Sequence, residues 1–239
     1  MGQAIHGRDM SEAEFWGVDL RKATFRDVHF GGVRISHAWL VDVEIDGLVD
    51  GLTINGVDVT DFVNARDPWQ PLRSMVAAAD VEAMRAAQVA FDEAWSAAIR
   101  RARAIPGDAV RTSVDDEWSL LDTLRHLVFV FDKWCTVPLL GATEFHPLGR
   151  PNTGSADRDW PGLDRDAEPD LDTVVAALGD RSSQFRAYLA GIGDDDLGGS
   201  VEVIENGTEP VTNCIGTVFE EQFEHLRYAT RDLDVLDRR

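Results

Sequence analysis

From Ala13 to Ile45 a larger apolar residue returns at every fifth position: Phe15, Leu20, Phe25, Phe30, Ile35, Leu40 and Ile45. Two residues ahead of each runs a series of smaller side chains, Ala13, Val18, Ala23, Val28, Val33, Ala38 and Val43. Neither the period of a helix nor the alternation of a strand produces this spacing. A chain that turns a corner every five residues does, because each side then sends two side chains inward. Beyond Leu48 the register loosens (Leu52, Ile54, Val57, Val59), as a capping or docking stretch would.

The texture changes after Pro68 and Pro71. Residues 72–104 are rich in Ala, Met, Glu and Arg and meet no Gly or Pro before Pro106-Gly107, which predicts one long helix. Ser113, followed by Asp115, Asp116 and Glu117, reads as the start of a second helix, with acids where the macrodipole favours them. That helix should pass through Trp118 and His126 to about Val137, where Pro138 ends it. The loop from about Gly141 to Asp166 is long enough to be an active-site cover or an insertion. A third helix is expected from Asp170 to about Gly191, with Val174, Leu178, Phe185 and Leu189 on its apolar side. Val201 to Ile204, followed by Glu205-Asn206-Gly207-Thr208, reads as a short hairpin. A fourth helix opens near Asn213 and continues almost to Arg239. One short and two long links imply a bundle with crossover connections. The expected division is a β segment at 1–66 and a helical domain at 67–239.

Charge narrows the partners. In 239 residues, 23 Lys and Arg face 43 Asp and Glu, for a net charge of −20. That sign opposes a nucleic-acid backbone and an anionic membrane surface, so neither is an expected partner. Two cysteines, Cys135 and Cys214, make no disulfide framework and fit better as small buried side chains in a reducing compartment. No secretory leader or membrane-spanning run is visible, so the expected location is the cytoplasm.

The five-residue series resembles the pentapeptide-repeat family, whose chains wind into a four-sided right-handed β-helix. The resemblance covers about residues 13–47, room for only about two coils. Stacked repeats generally need about three units plus caps, so this segment is expected to pack on the rest of the protein. Acidic members of that family imitate DNA. Here Arg21, Lys22, Arg26 and Arg34 mix with the acids, and the stack is too short for a useful length of duplex.

Of six histidines, His29 and His37 fall between corners of the repeat and should face solvent, while His6 lies in the N-terminal tail. His126 is surrounded by Leu124, Leu127, Val128, Phe129, Val130 and Phe131, so its helix is buried on nearly every side. A histidine there needs a partner, either a carbonyl or a ligand. Glu221 and His225 stand one helical turn apart, beside the apolar stripe Ile215, Phe219, Leu226 and Leu233. A carboxylate and an imidazole on one helix, facing a second buried imidazole, are what metal sites in helical bundles are built from. Two His and one carboxylate suit zinc, with nickel or iron as alternatives. An ion pair at the helix surface is the plain alternative.

The stretch Asp116-Glu117-Trp118-Ser119-Leu120-Leu121-Asp122-Thr123-Leu124-Arg125-His126-Leu127, continued by Phe131-Asp132-Lys133-Trp134, resembles the DinB/YfiT-like superfamily. So does Glu221-Gln222-Phe223-Glu224-His225-Leu226-Arg227-Tyr228-Ala229, continued by Arg231-Asp232-Leu233. The resemblance covers about residues 70–239. It implies a mainly α, DinB-like four-helix bundle with crossover connections, here preceded by the short β-helix. It also implies a divalent metal held by a histidine on the second helix and a His-x3-His pair on the fourth. His126 and His225 match that pattern, while Glu221 stands where the usual type has histidine. Asp122 and Glu224 are candidates to orient an imidazole. His146, on the long loop, is a candidate extra ligand or proton carrier. Trp118, Trp134 and Tyr228 fit packing better than ligand stacking.

The implied activity is a metal-dependent transferase. Its metal would activate a low-molecular-weight thiol of the mycothiol or bacillithiol type for attack on a small electrophile. The alternatives are a non-catalytic metal-binding or protein-interaction module and a metal-dependent hydrolase. The oligomeric state is left open, a homodimer included.

Overall fold

The five-residue spacing of the N-terminal side chains is also the spacing of the backbone corners. In the computed structural model, which describes residues 5, 7–25 and 28–238, the chain divides into two units, Met1–Asp46 and Gly47–Arg239. Within the first, Glu12, Gly17, Lys22, Gly32, His37 and Asp42 all adopt positive φ, between 54° and 75°. Turn hydrogen bonds close three of the corners, Ala13 N–H to the Met10 carbonyl, Ala23 to Leu20 and Val33 to Phe30. No strand forms among the described residues of this unit, so the expected β-helix is not seen in it. The apolar series expected to face inward is 50 % exposed at Leu20 and 70 % at Ile35. About two coils provide too few stacked neighbours to close a core. His29 and His37 are exposed, as expected, and His6 lies outside the described residues.

Residues 47–66 fall with the helical unit. Here the sequence holds a hairpin that the loosening register conceals: β1 (Thr53–Ile54) pairs antiparallel with β2 (Val57–Asp58). Asn55 and Gly56 turn between them at φ of 52° and 80°, the two left-handed positions that an Asn-Gly hairpin turn requires. A short helix α1 (Thr60–Asn64) follows.

The helix expected over 72–104 is two helices, α2 (Gln70–Val76) and α3 (Val81–Ala104). Asp80 makes the break tolerable. Its backbone is extended, and its carboxylate accepts the Ala83 N–H at 2.8 Å. The Val81 N–H, another donor orphaned at the start of α3, reaches Asp194 at 2.9 Å. Helix α4 (Leu120–Phe131) also starts later than its acids suggest. Ser119 caps it by accepting the Asp122 N–H and donating to the Asp122 carboxylate at 2.7 Å. Asp115 and Asp116 sit before the helix in left-handed backbone, at φ of 53° and 60°. The helix then widens into a π-turn over Asp132–Thr136. Helix α5 (Leu171–Gly191) opens where expected, on Asp170 accepting the Thr173 N–H. The expected hairpin pairs β3 (Ser200–Val203) with β4 (Gly207–Pro210), leading straight into α6 (Val211–Leu236).

The second unit is mainly helical, and its four long helices share one core. Both α3 and α4 pack against α5 and α6. Chain neighbours α3 and α4 therefore occupy opposite corners, as do α5 and α6, so those two links cross the bundle, whereas the longest link joins the adjacent α4 and α5. Each helix contributes one fully buried phenylalanine to the centre: Phe91, Phe131, Phe185 and Phe219. Phe185 meets Phe131 and Phe219 edge-on, both at 5.7 Å between centroids, and Phe219 stacks on Phe91 at 5.8 Å. Cys135 and Cys214 are buried in the same core, and burial pushes their thiols up to about 12 and about 11. Trp134 is buried as expected, whereas Tyr228 is 47 % exposed with the Arg231 guanidinium over its ring. No helix among the described residues is long and apolar enough to cross a membrane.

The long link between α4 and α5 is not loose. Phe145 and Trp160 are buried against Phe129 of α4, with all three ring pairs within 5.4 Å. Gly162 lets the link close on itself. At φ of 84° a Cβ there would lie 2.7 Å from the Phe145 carbonyl oxygen, next to the bond from Phe145 N–H to Pro161.

Candidate metal centre

His126 lies mid-way along α4, one turn beyond the Asp122 that helps cap the helix. Glu221 and His225 lie one turn apart on α6. Because α4 and α6 pack against each other, the three side chains meet. The Glu221 carboxylate oxygen stands 3.5 Å from His126 Nε2 and 3.1 Å from His225 Nε2. The imidazole centroids are 4.8 Å apart, and one ligand atom from each residue falls within 4.8 Å of the others.

The donor set suits a divalent cation. Nitrogen and oxygen ligands held at about 2.0–2.1 Å in a tetrahedron lie about 3.3 Å from one another, close to the two separations that Glu221 makes with the imidazoles. The tautomer suits it too. His126 Nδ1 lies 2.9 Å from the carbonyl oxygen of Arg150, an atom that only accepts, so Nδ1 carries the hydrogen there and Nε2 faces Glu221. Burial pushes the Glu221 carboxyl up, but hydrogen bonds and charge from both imidazoles outweigh it and hold the group well below the usual carboxylate range. The arrangement offers an ionised carboxylate and two imidazole nitrogens at one point.

The floor of the site is sealed and its mouth is open. The His126 side chain is 6 % exposed, against 20 % for His225 and 34 % for Glu221. Trp118 forms one wall. Its ring lies 4.9 Å from His126 and, within 9° of parallel, 6.2 Å from His225. Phe129 stacks on His126 at 6.1 Å and joins it to the aromatic cluster under the long link.

The expected supporting residues are arranged differently. Glu224 pairs with Arg227 at 3.1 Å, and Asp122 contacts the Arg150 guanidinium at 3.3 Å. Neither carboxylate orients an imidazole directly. The Arg150 carbonyl does, and sequence reasoning passed over it, since Arg150-Pro151 signals only an extended residue. His146 is not one of the clustered three. Its backbone N–H donates to Asp132 at 2.7 Å, and its Nδ1 accepts the Leu148 N–H. Burial, with the Arg181 charge, holds its ring below the ordinary histidine value. Asp132 is fully buried and also accepts from Arg181 at 2.6 Å and Thr136 at 2.5 Å, so this second polar cluster pins the link to α4 and α5.

Residues 90–229 match the family model described as the DinB superfamily, a span that contains all three clustered residues. No curated protein and no solved structure matches the chain.

Proposed function

Because the chain belongs to the DinB superfamily, we propose that His126, Glu221 and His225 hold one divalent cation and that the protein is a metal-dependent transferase using a small thiol. The observation that carries this reading is the convergence of the three groups at a site with a buried floor and a part-exposed mouth. Three protein ligands and an open side are the pattern of catalytic rather than structural zinc. Zinc is the first choice, and the carboxylate leaves room for iron or nickel. When bound, such a cation lowers the pKa of a coordinated thiol and supplies a thiolate at neutral pH.

The chain's own residues do the rest. The Arg150 carbonyl holds the His126 ring in one tautomer and orientation. Glu221 brings a negative charge that offsets half of a divalent ion. Trp118 and Phe129 keep water from the flanks of the imidazoles and give an electrophile an apolar wall. The link over 137–170 stands against α4 beside this wall and shapes the approach. Helices α3 to α6 are read as the four-helix bundle of the superfamily, and residues 13–47 as a short pentapeptide-type coil on the strength of their five-residue spacing.

Two measurements test the reading in order. Purified protein should carry about one equivalent of metal per chain, and His225→Ala should lose it with an unchanged far-UV circular dichroism spectrum. Metal-loaded protein should then accelerate the attack of a small thiol on a model electrophile, and the variant should not. Metal content in His126→Ala and His225→Ala equal to that of the wild type would end the metal assignment. Bound metal without thiol turnover, or with hydrolysis of a model ester instead, would favour a binding module or a hydrolase.

A further inference from the structure

Resting on the reading of the site as a thiol-binding metal centre, we propose that Arg150 receives a carboxylate on the thiol, so that the substrate is a small anionic thiol. Arg150 is tied to α4 at both of its backbone polar atoms. Its N–H donates to the Arg125 carbonyl at 3.1 Å and its carbonyl accepts from His126 at 2.9 Å. The root of the side chain is thereby fixed beside a metal-ligating imidazole. Its guanidinium carbon lies 5.4 Å from the centre of the Trp118 ring, and that ring stands against both histidines. The guanidinium and both imidazoles thus share one neighbour, the Trp118 indole.

The guanidinium has capacity to spare. It carries five N–H donors, of which Asp122 engages one nitrogen at 3.3 Å, longer than the about 2.7–2.9 Å of a strong charge-assisted bond. The side chain is 40 % exposed. A part-exposed planar fork against the Trp118 wall of the site is suited to a carboxylate, which it can grip through two parallel bonds. Electrostatics point the same way. The chain carries a net charge of −20 and Glu221 adds a negative charge inside the site, so an anionic ligand is repelled almost everywhere. Arg150 and the buried Arg125, which is close enough to feel the Arg150 charge, form a local exception.

The test uses the full chain loaded with cobalt(II), read by the sulfur-to-cobalt charge-transfer band that a bound thiolate produces. Thioglycolate and mercaptosuccinate are titrated against neutral mercaptoethanol and cationic cysteamine. A carboxylate can also touch the metal, so the quantity that decides is the change in preference between wild type and variant. Arg150→Gln should lower the preference for thioglycolate over mercaptoethanol by about tenfold, the effect of losing a hydrogen bond to a charged group. Affinity for mercaptoethanol and for cobalt should stay unchanged, and Arg150→Lys should keep part of the preference. Failure of every thiol to give the band would overturn the thiol reading of the centre itself. Bands with all four thiols, and one preference shared by wild type and Arg150→Gln, would overturn the role of Arg150 alone. So would a variant that loses cobalt along with the thiols, because Arg150 would then be serving the fold of the site.

Discussion

His126 and Arg150 are joined across 24 residues of sequence by one hydrogen bond, from the imidazole Nδ1 to a main-chain carbonyl at 2.9 Å. That bond fixes the direction in which the buried imidazole presents its other nitrogen. It spends the hydrogen of the imidazole on a partner outside the cluster and leaves the other nitrogen toward Glu221 and, beyond it, His225. The link that carries Arg150 is therefore part of the centre, even where none of its side chains meets the clustered three.

Glu221→Gln keeps the shape of the side chain and removes its charge. Zinc affinity, measured by competition with a chromophoric chelator, should fall by more than the about 10- to 100-fold that loss of an outer partner costs. An unchanged affinity would show that Glu221 is a bystander between two histidines.

Gly162→Ala places a methyl group against the Phe145 carbonyl at a φ of 84°. The expected cost is about 1–3 kcal/mol, read as a lower melting temperature. Because the strain sits in the link, the variant should also be cut faster by protease between residues 141 and 170. A variant as stable and as resistant as the wild type would mean that the link relaxes around the methyl at no cost.

Phe185→Ala removes the ring that touches both Phe131 and Phe219. A fully buried phenylalanine truncated to alanine costs about 3–5 kcal/mol, measured by urea unfolding. Phe25→Ala, at a side chain that is 56 % exposed, should cost well under half of that. Equal losses at the two positions would contradict the difference in burial between them.

Asp67 holds α2 in place through Arg73, whose Nε donates to it at 2.8 Å. Burial pushes the Asp67 carboxyl up, but the Trp69 N–H, the Arg73 bond and nearby positive charge outweigh it, and the net direction is down. A carboxyl lowered by folding contributes stability that is complete above its unfolded value of 3.8 and is lost as pH falls through the folded one. Asp67→Asn should therefore cost about 2–3 kcal/mol at neutral pH, less than a sealed pair because Asp67 keeps some exposure. The gap in melting temperature from wild type should narrow as pH falls below about 4. A gap that stays constant into acid would show that the charge of Asp67 is not what matters.

Much of the helical unit was legible because its signals are local. The start of α5 at Asp170, the Asn206-Gly207 hairpin and the long α6 each follow from residues within a few positions of one another. Where local signals competed, the reading slipped. The acids at 115–117 suggested a helix start, yet Ser119 with Asp122 makes a complete cap and wins. Asp80 was hidden in an alanine-rich run, although a carboxylate three residues before a free N–H is a cap in its own right. Asn55-Gly56 was hidden behind the repeat that precedes it. At the centre, His126, Glu221 and His225 could be named in advance because one helical turn separates the last two and an unusually apolar stretch surrounds the first.

What the sequence by itself determined was the set of side chains that cluster and the helices that bear them, since capping, periodicity and one-turn spacing all act over a few residues. Only the tertiary structure decided that α4 and α6 are neighbours, that an imidazole donates to a carbonyl 24 positions away, and that this main-chain oxygen orients His126 while Asp122 and Glu224 pair with arginines. Those outcomes depend on how helices fill a shared core and on where a long link finds partners for its backbone. Neither leaves a regular mark on the order of residues.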